Sequence, residues 1–93
     1  PDKINIVTSH PNPFNGQVNI KYYTGSPNIG IINIFDLTGR LIFSSGELSF
    51  KMGYNSFDWN GKSQLGHTLS TGIYIVSIEV EEKLNNHKIL YLK

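Results

Sequence analysis

The stretch Phe57–Tyr74, FDWNGKSQLGHTLSTGIY, decides how this chain is read. It holds the only Trp and three of the nine glycines, and it opens onto the longest run of alternating apolar residues. Leading into it, Asn55, Phe57 and Trp59 alternate with Tyr54, Ser56 and Asp58. That period of two predicts a strand with two large aromatics on one face. Asn60-Gly61 stops the strand, because Gly takes positive φ freely and Asn tolerates it. Gly66 and Gly72 bracket a second loop. From Ile73 the alternation resumes, with Tyr74, Val76, Ile78 and Val80 facing one way and Ser77, Glu79 and Glu81 the other. Two strands that each bury one face need a second layer, and the composition points to another sheet.

Working outward, short strands and turn signals fill the chain. Ile4, Ile6 and Thr8 alternate with Lys3, Asn5 and Val7 as an edge strand, which Pro11-Asn12-Pro13 ends because neither proline can donate to a ladder. Asn12-Pro13-Phe14-Asn15-Gly16 reads as a turn with Phe14 anchored inward. Val18, Ile20 and Tyr22 mark a half-buried strand. Thr24 to Gly30 reads as a loop, and Ile32, Ile34 and Phe35 as the next strand. Asp36-Leu37-Thr38-Gly39-Arg40 is a hairpin turn, with Asp36 accepting from backbone N–H groups and Gly39 supplying the left-handed residue. Gly39 and Gly72 are both expected at positive φ or where a Cβ would clash. Leu41 to Ser44 returns as a strand, and Gly46 to Gly53 reads as a link. Near the end, Asn85-Asn86 reads as a tight turn, with His87 to Lys93 as the last strand. About seven short strands at this spacing predict one all-β domain over residues 1–93, an antiparallel, immunoglobulin-like β-sandwich.

Composition narrows the function. Ninety-three residues with 39% hydrophobic content suffice for one modest core. A net charge of +1 with scattered basic residues gives no electrostatic reason to expect nucleic acid. There is no cysteine, and no apolar run approaches the roughly 20 residues of a membrane helix. The chain opens on Pro1 rather than a methionine and reads as a piece of a longer protein.

Candidate chemistry is thin. His10, His67 and His87 fall in or beside predicted turns, without metal-ligand spacing, and read as exposed loop residues. Asp36, Asp58 and Asn60 have oxygens suited to calcium, but turn capping accounts for them as well. Ser44-Ser45 and Ser70-Thr71 lack a nearby His–Asp arrangement. Trp59, Tyr22, Tyr23 and Tyr54 could form a sugar-stacking platform, although Trp59 on a strand reads as core. Tyr23 and Tyr54, on the opposite parity, are the candidates for exposure.

Four motifs in order carry a family resemblance: Asn12-Pro13-Phe14-Asn15, Asp36-Leu37-Thr38-Gly39-Arg40, Trp59-Asn60-Gly61-Lys62 leading to Gly66, and Ser70-Thr71-Gly72-Ile73-Tyr74. A final Ile89-Leu90-Tyr91-Leu92-Lys93 completes the pattern. From about Ile6 to Lys93 the chain resembles the C-terminal sorting domains of the type IX (Por) secretion system, and the related immunoglobulin-like module of the flagellar hook-capping protein. Two departures stand out. Asn60 replaces the Asp usual after the Trp, and Lys62-Ser63-Gln64 lacks the second acid often found in that loop, which argues against a metal there.

The resemblance implies a non-catalytic address with no cofactor, metal or small-molecule substrate. The implied partners are the outer-membrane secretion machinery, its surface peptidase and an N-terminal cargo domain. The implied destination is the cell surface or the medium, by way of the periplasm. Its motif residues Asn12, Pro13, Phe14, Asn15, Asp36, Gly39, Arg40, Trp59, Gly61, Gly66, Gly72 and Tyr74 are then structural. Recognition falls to the last strand, with Lys88 and Lys93, whose final backbone groups are expected to be accessible. A structural or spacer module, or one binding carbohydrate or calcium, are the alternatives.

Overall fold

Apolar alternation builds seven strands. In the computed structural model, which describes residues 4–93, they are β1 (Ile4–His10), β2 (Val18–Thr24), β3 (Asn28–Asp36), β4 (Leu41–Phe50), β5 (Gly53–Trp59), β6 (Gly72–Val80) and β7 (Lys83–Tyr91). Lys3 and the side chains of residues 4–7 lie outside the described residues, and with them the alternation expected there. The strands form a three-stranded sheet in the order β1-β2-β5 and a four-stranded sheet in the order β4-β3-β6-β7. All neighbours within the sheets are antiparallel.

The two sheets bury one continuous core. Val18, Ile20 and Tyr22 of β2 and Trp59 of β5 face Ile32 and Ile34 of β3 and Tyr74, Val76, Ile78 and Val80 of β6. Ile89 and Tyr91 extend the core along β7. Ser77 is also buried although its parity places it on the other face, because a central strand has neighbours on both sides.

Three boundaries differ from the sequence reading, each for a local reason. The expected link from Gly46 to Gly53 is mostly strand, since β4 runs to Phe50 and β5 starts at Gly53. A bulge hides it. Ile31 pairs with Glu47 but Asn33 pairs with Ser44, so Ser45 and Gly46 together oppose Ile32. The Ile32 N–H donates to Ser45 Oγ at 3.0 Å rather than to backbone. One extra residue shifts the period of two, and the alternation resumes out of phase at Leu48 and Phe50.

The last hairpin turns at Glu81-Glu82, not at Asn85-Asn86. Both glutamates take positive φ, 53° and 68°, and Val80 pairs directly with Lys83. Composition favours the asparagines, but register decides. Ile89 must oppose Tyr74 and Tyr91 must oppose Gly72 for both side chains to be buried, which puts Asn85 and Asn86 opposite Ile78 and Ser77.

The loop expected from Thr24 to Gly30 shrinks to residues 25–27. Gly30 already lies in β3. A Cβ there would fall on the Phe50 ring and 2.8 Å from the Glu79 carbonyl oxygen, so this glycine serves close packing inside a strand.

Candidate recognition surface

The motifs meet at one end of the sandwich. Phe14, Trp59, Tyr74 and Tyr91 form a closed cycle of rings. Centroids are 5.8 Å apart for Phe14–Trp59, 5.9 Å for Trp59–Tyr74, 6.4 Å for Tyr74–Tyr91 and 5.2 Å for Tyr91–Phe14. The tilted and edge-on geometries suit the ring quadrupoles. Polar tips find backbone partners: Trp59 Nε1–H donates to the Lys62 carbonyl at 3.0 Å, and the Tyr74 hydroxyl to the Ser70 carbonyl at 2.7 Å. Gly61 fits under the cycle at φ 74°, where a Cβ would come within 3.1 Å of Tyr91 and 3.4 Å of Phe14.

The Asn12–Asn15 segment also closes the outer edge of β7. Phe14 N–H donates to the Leu90 carbonyl at 2.9 Å, and Leu92 N–H donates to the Phe14 carbonyl at 2.8 Å. Asn12 Oδ1 accepts from Leu90 N–H at 2.9 Å, while its Nδ2 donates to the Lys88 carbonyl at 3.3 Å. Asn15 Nδ2 donates to the Leu92 carbonyl at 2.7 Å, and Lys93 N–H donates to Thr71 Oγ1 at 2.9 Å. The expectation that the last strand leaves its final backbone groups open is therefore overturned. The short, polar Asn side chains finish a ladder that the prolines beside Phe14 cannot. Pro13 itself is exposed.

The other motif residues shape turns. Asp36 Oδ1 accepts from Thr38 Oγ1 at 2.6 Å, Thr38 N at 2.9 Å and Arg40 N at 3.0 Å. Asp36 Oδ2 lies 3.3 Å from Arg40 Nε. These donors, the Thr38 hydroxyl foremost, hold its carboxyl below the usual range. Gly39 has φ 88° and Gly66 φ 87°. Gly72 departs from expectation. Its φ is not in the left-handed region, and a Cβ there would meet nothing within 4 Å, because it enters β6 directly opposite Tyr91.

Among the remaining candidates, Lys88 is exposed within β7 and Lys93 is exposed just beyond its end. His10 and His67 are exposed, but His87 is not a loop residue. It sits half-buried in β7, with Nε2 2.8 Å from Ser9 Oγ, tying β1 to β7. Asp58 accepts from Asn19, and Asn60 accepts from the Lys62 N–H. Among the described residues no three His, Cys, Asp or Glu side chains group as metal ligands. Tyr23 and Tyr54 are exposed and paired edge-on at 5.3 Å, so they offer no flat platform, while Tyr22 and Trp59 are core. Sequence reading missed Tyr91 as the fourth ring. Its signal was parity with Ile89, hidden by the misplaced turn.

The chain matches the family described as the secretion system C-terminal sorting domain over residues 8–92. No curated protein matches it. Among solved structures it is similar to dimeric latent PorU from Porphyromonas gingivalis, at 19% identity and TM-score 0.76, over 99% of this chain and 9% of that one. It is also similar to PorZ of the same organism, described as an essential bacterial surface component of the type-IX secretion system. There the identity is 20% and the TM-score 0.63, over 94% of this chain and 11% of that one. The alkylpurine DNA glycosylase AlkC of Pseudomonas fluorescens shares the fold as well, at 14% identity and TM-score 0.68, over 99% of this chain and 30% of that one. The chain thus spans only a small part of each of these proteins, and likeness at these identities speaks for the sandwich alone. The family match is what discriminates between them, and over nearly the whole chain it shows that this domain belongs to the C-terminal sorting domains of the type IX secretion system.

Proposed function

We propose that this domain is the export address of a larger protein, held in folded form for the outer-membrane secretion machinery to read once the cargo has reached the periplasm. Lys88 and Lys93 lie on the surface that is read, and a surface peptidase acts later on the exported chain. The observation that supports this most is that the family motifs turn inward, into a ring of aromatics and a closed β7 edge, rather than converging on a reactive group. The domain's task on this reading is to keep a shape, and the cargo N-terminal to it carries whatever chemistry the whole protein performs.

The test is a fusion of this domain to the C-terminus of an unrelated reporter with an inner-membrane export signal, expressed in a type IX-competent cell. The reporter should appear outside the cell with the domain and remain in the periplasm without it. Lys88→Glu with Lys93→Glu should reduce export while leaving the fold intact, since surface charge changes move stability by under about 0.5 kcal/mol. Deleting Ile89–Lys93 would be uninformative, because it removes two core side chains together with the ladder to Phe14. A periplasmic reporter carrying a folded domain would overturn the reading.

A further inference from the structure

The two outer faces of the sandwich differ in chemistry. On the three-stranded sheet, Asn19, Lys21 and Tyr23 oppose Asp58, Ser56 and Tyr54. Asn19 Nδ2 donates to both Ser56 Oγ and Asp58 Oδ1 at 2.7 Å, so the described β2–β5 part of this face is mainly polar, with Tyr23 and Tyr54 exposed at one end. On the four-stranded sheet, one row across the strands reads Leu41, Phe35, Ile75, Lys88, and the next pairs Ile73 with Leu90. Leu41 is 52% exposed and Ile73 40%. Farther along the same face one row is polar, with Asn33, Ser77 and Asn86, and the next mixes Glu47 and Glu79 with Ile31 and Leu84, the last 62% exposed. The apolar side chains thus fall into two groups, one set among glutamates and one, at the Leu41 end, beside Lys88 and near exposed Lys93. Arg40 is there too but is already paired with Asp36.

We propose that this end of the outer face, formed by Phe35, Leu41, Ile73, Ile75 and Leu90 with Lys88 at its border, is where the secretion machinery docks. The matching surface is a protein strip of apolar side chains flanked by carboxylates. The proposal rests on the sorting reading and adds where and how the address is read. A partner strand cannot add to β7 from Lys88 onward, where the outer edge is bonded to Asn12, Phe14 and Asn15. Nor can it add at the start of β4, where Gln64 N donates to the Ile42 carbonyl and Gln64 Oε1 accepts from Ser44 N–H. Recognition near the last strand therefore goes through side chains on the face. A second copy is a poor occupant. Strand spacing gives the strip roughly 200 Å², against about 800 Å² per partner in a stable complex, and stacking strip on strip brings the same basic ends together. A small apolar strip with a charged border suits a passing contact that must release its cargo.

The reporter fusion tests this. Leu41→Asp with Ile73→Asp should cut export about tenfold, as expected when an exposed apolar contact becomes a desolvated charge, and Tyr54→Asp on the opposite face should leave it unchanged. Thermal melts followed by Trp59 fluorescence establish that each variant folds. A photo-crosslinking residue at 41 or 73, but not at 54, should trap an outer-membrane protein in the wild-type background. If wild type itself is not exported, the sorting reading fails. If wild type and the folded Leu41→Asp, Ile73→Asp variant are exported equally, only this proposal fails. Crosslinks from 41 and 73 to lipid alone, or to a second copy with sedimentation as a dimer that the double variant dissolves, would overturn it in favour of those occupants.

Discussion

Phe14→Ala separates the two tasks of the Asn12–Asn15 segment. The hydrogen bonds of Phe14 to Leu90 and Leu92 use only backbone atoms, so alanine keeps them and loses only the ring. That ring is 2% exposed and packs on Trp59 and Tyr91 at 5.8 and 5.2 Å between centroids. Its removal opens a cavity whose walls belong to β5, β7 and the Gly61 turn, three elements that cannot collapse together without breaking ladder bonds. Truncation of a fully buried Phe costs about 3–5 kcal/mol. A domain of this size has about 5–14 kcal/mol in all, so the loss is about a fifth of it or more. With a urea m-value of about 1.5 kcal/mol/M, the midpoint should fall by about 2–3 M at constant m. Trp59, the only Trp and 1% exposed, reports the transition. Phe57→Ala is the comparison: Phe57 is half-buried and touches Phe43 at 6.1 Å, and should cost roughly half as much. A midpoint shift below about 0.5 M for Phe14→Ala would mean that the cycle of rings does not hold this end together.

Three further outcomes follow from particular atoms. Gly61→Ala should cost more than about 1 kcal/mol, from its positive φ and the Tyr91 ring above it, whereas Gly72→Ala should stay within about 0.5 kcal/mol; equal melting temperatures for the two would refute the assignment. Asn33 Oδ1 is buried on the outer face without a hydrogen-bond partner, so Asn33→Val should stabilise the domain by about 1 kcal/mol in urea unfolding, and destabilisation would show that the amide has a needed role. Burial pushes the Tyr22 hydroxyl up to about 12 from 10.0. The folded state then holds its proton more tightly than the unfolded chain, so this contribution is complete below pH 10 and is lost as pH rises toward about 12. Tyr22→Phe should flatten that part of the stability profile, and an unchanged alkaline slope would assign it to other tyrosines.

How much of this was legible depended on period. Where alternation is unbroken, as in Val18–Tyr22 and Tyr74–Val80, parity alone gave strand, face and burial. Turns built by residues with a strong φ preference, such as Gly39 and Gly61, were legible as well. The reading failed where tertiary register overrode local preference. Glu81 and Glu82 adopt a conformation their side chains disfavour because nine paired positions of β6 and β7 outweigh a two-residue turn. The Ser45-Gly46 bulge failed for a similar reason, since a single inserted residue reverses parity and makes a strand look like a link. The closure of β7 was out of reach, because Asn12 and Leu90 are 78 residues apart and no local pattern announces their contact.

That closure bears on what a sorting domain has to be. A sheet that ends in a free strand edge invites any extended segment to pair with it, including unfolded cargo passing through the same compartment. Here the edge is occupied by the chain's own Asn12, Phe14 and Asn15, and no disulfide is available to reinforce it. The segment that seals the edge also supplies one ring of the cycle that includes Trp59 and covers Gly61, so sealing the edge and packing this end are coupled. Side chains that point out from β7 are then held at fixed positions: Lys88 opposite Ile75, Leu90 opposite Ile73. A partner that reads those positions meets them correctly spaced only when the whole sandwich is formed. Such an arrangement would let the export step distinguish folded domains from unfolded ones by contact alone. Loosening the seal with Asn12→Ala should therefore lower reporter export more than it lowers the urea midpoint, because a frayed β7 misplaces Lys88 and Leu90 before the core melts. Export that falls only in step with the midpoint would show that the seal matters for stability and not for reading.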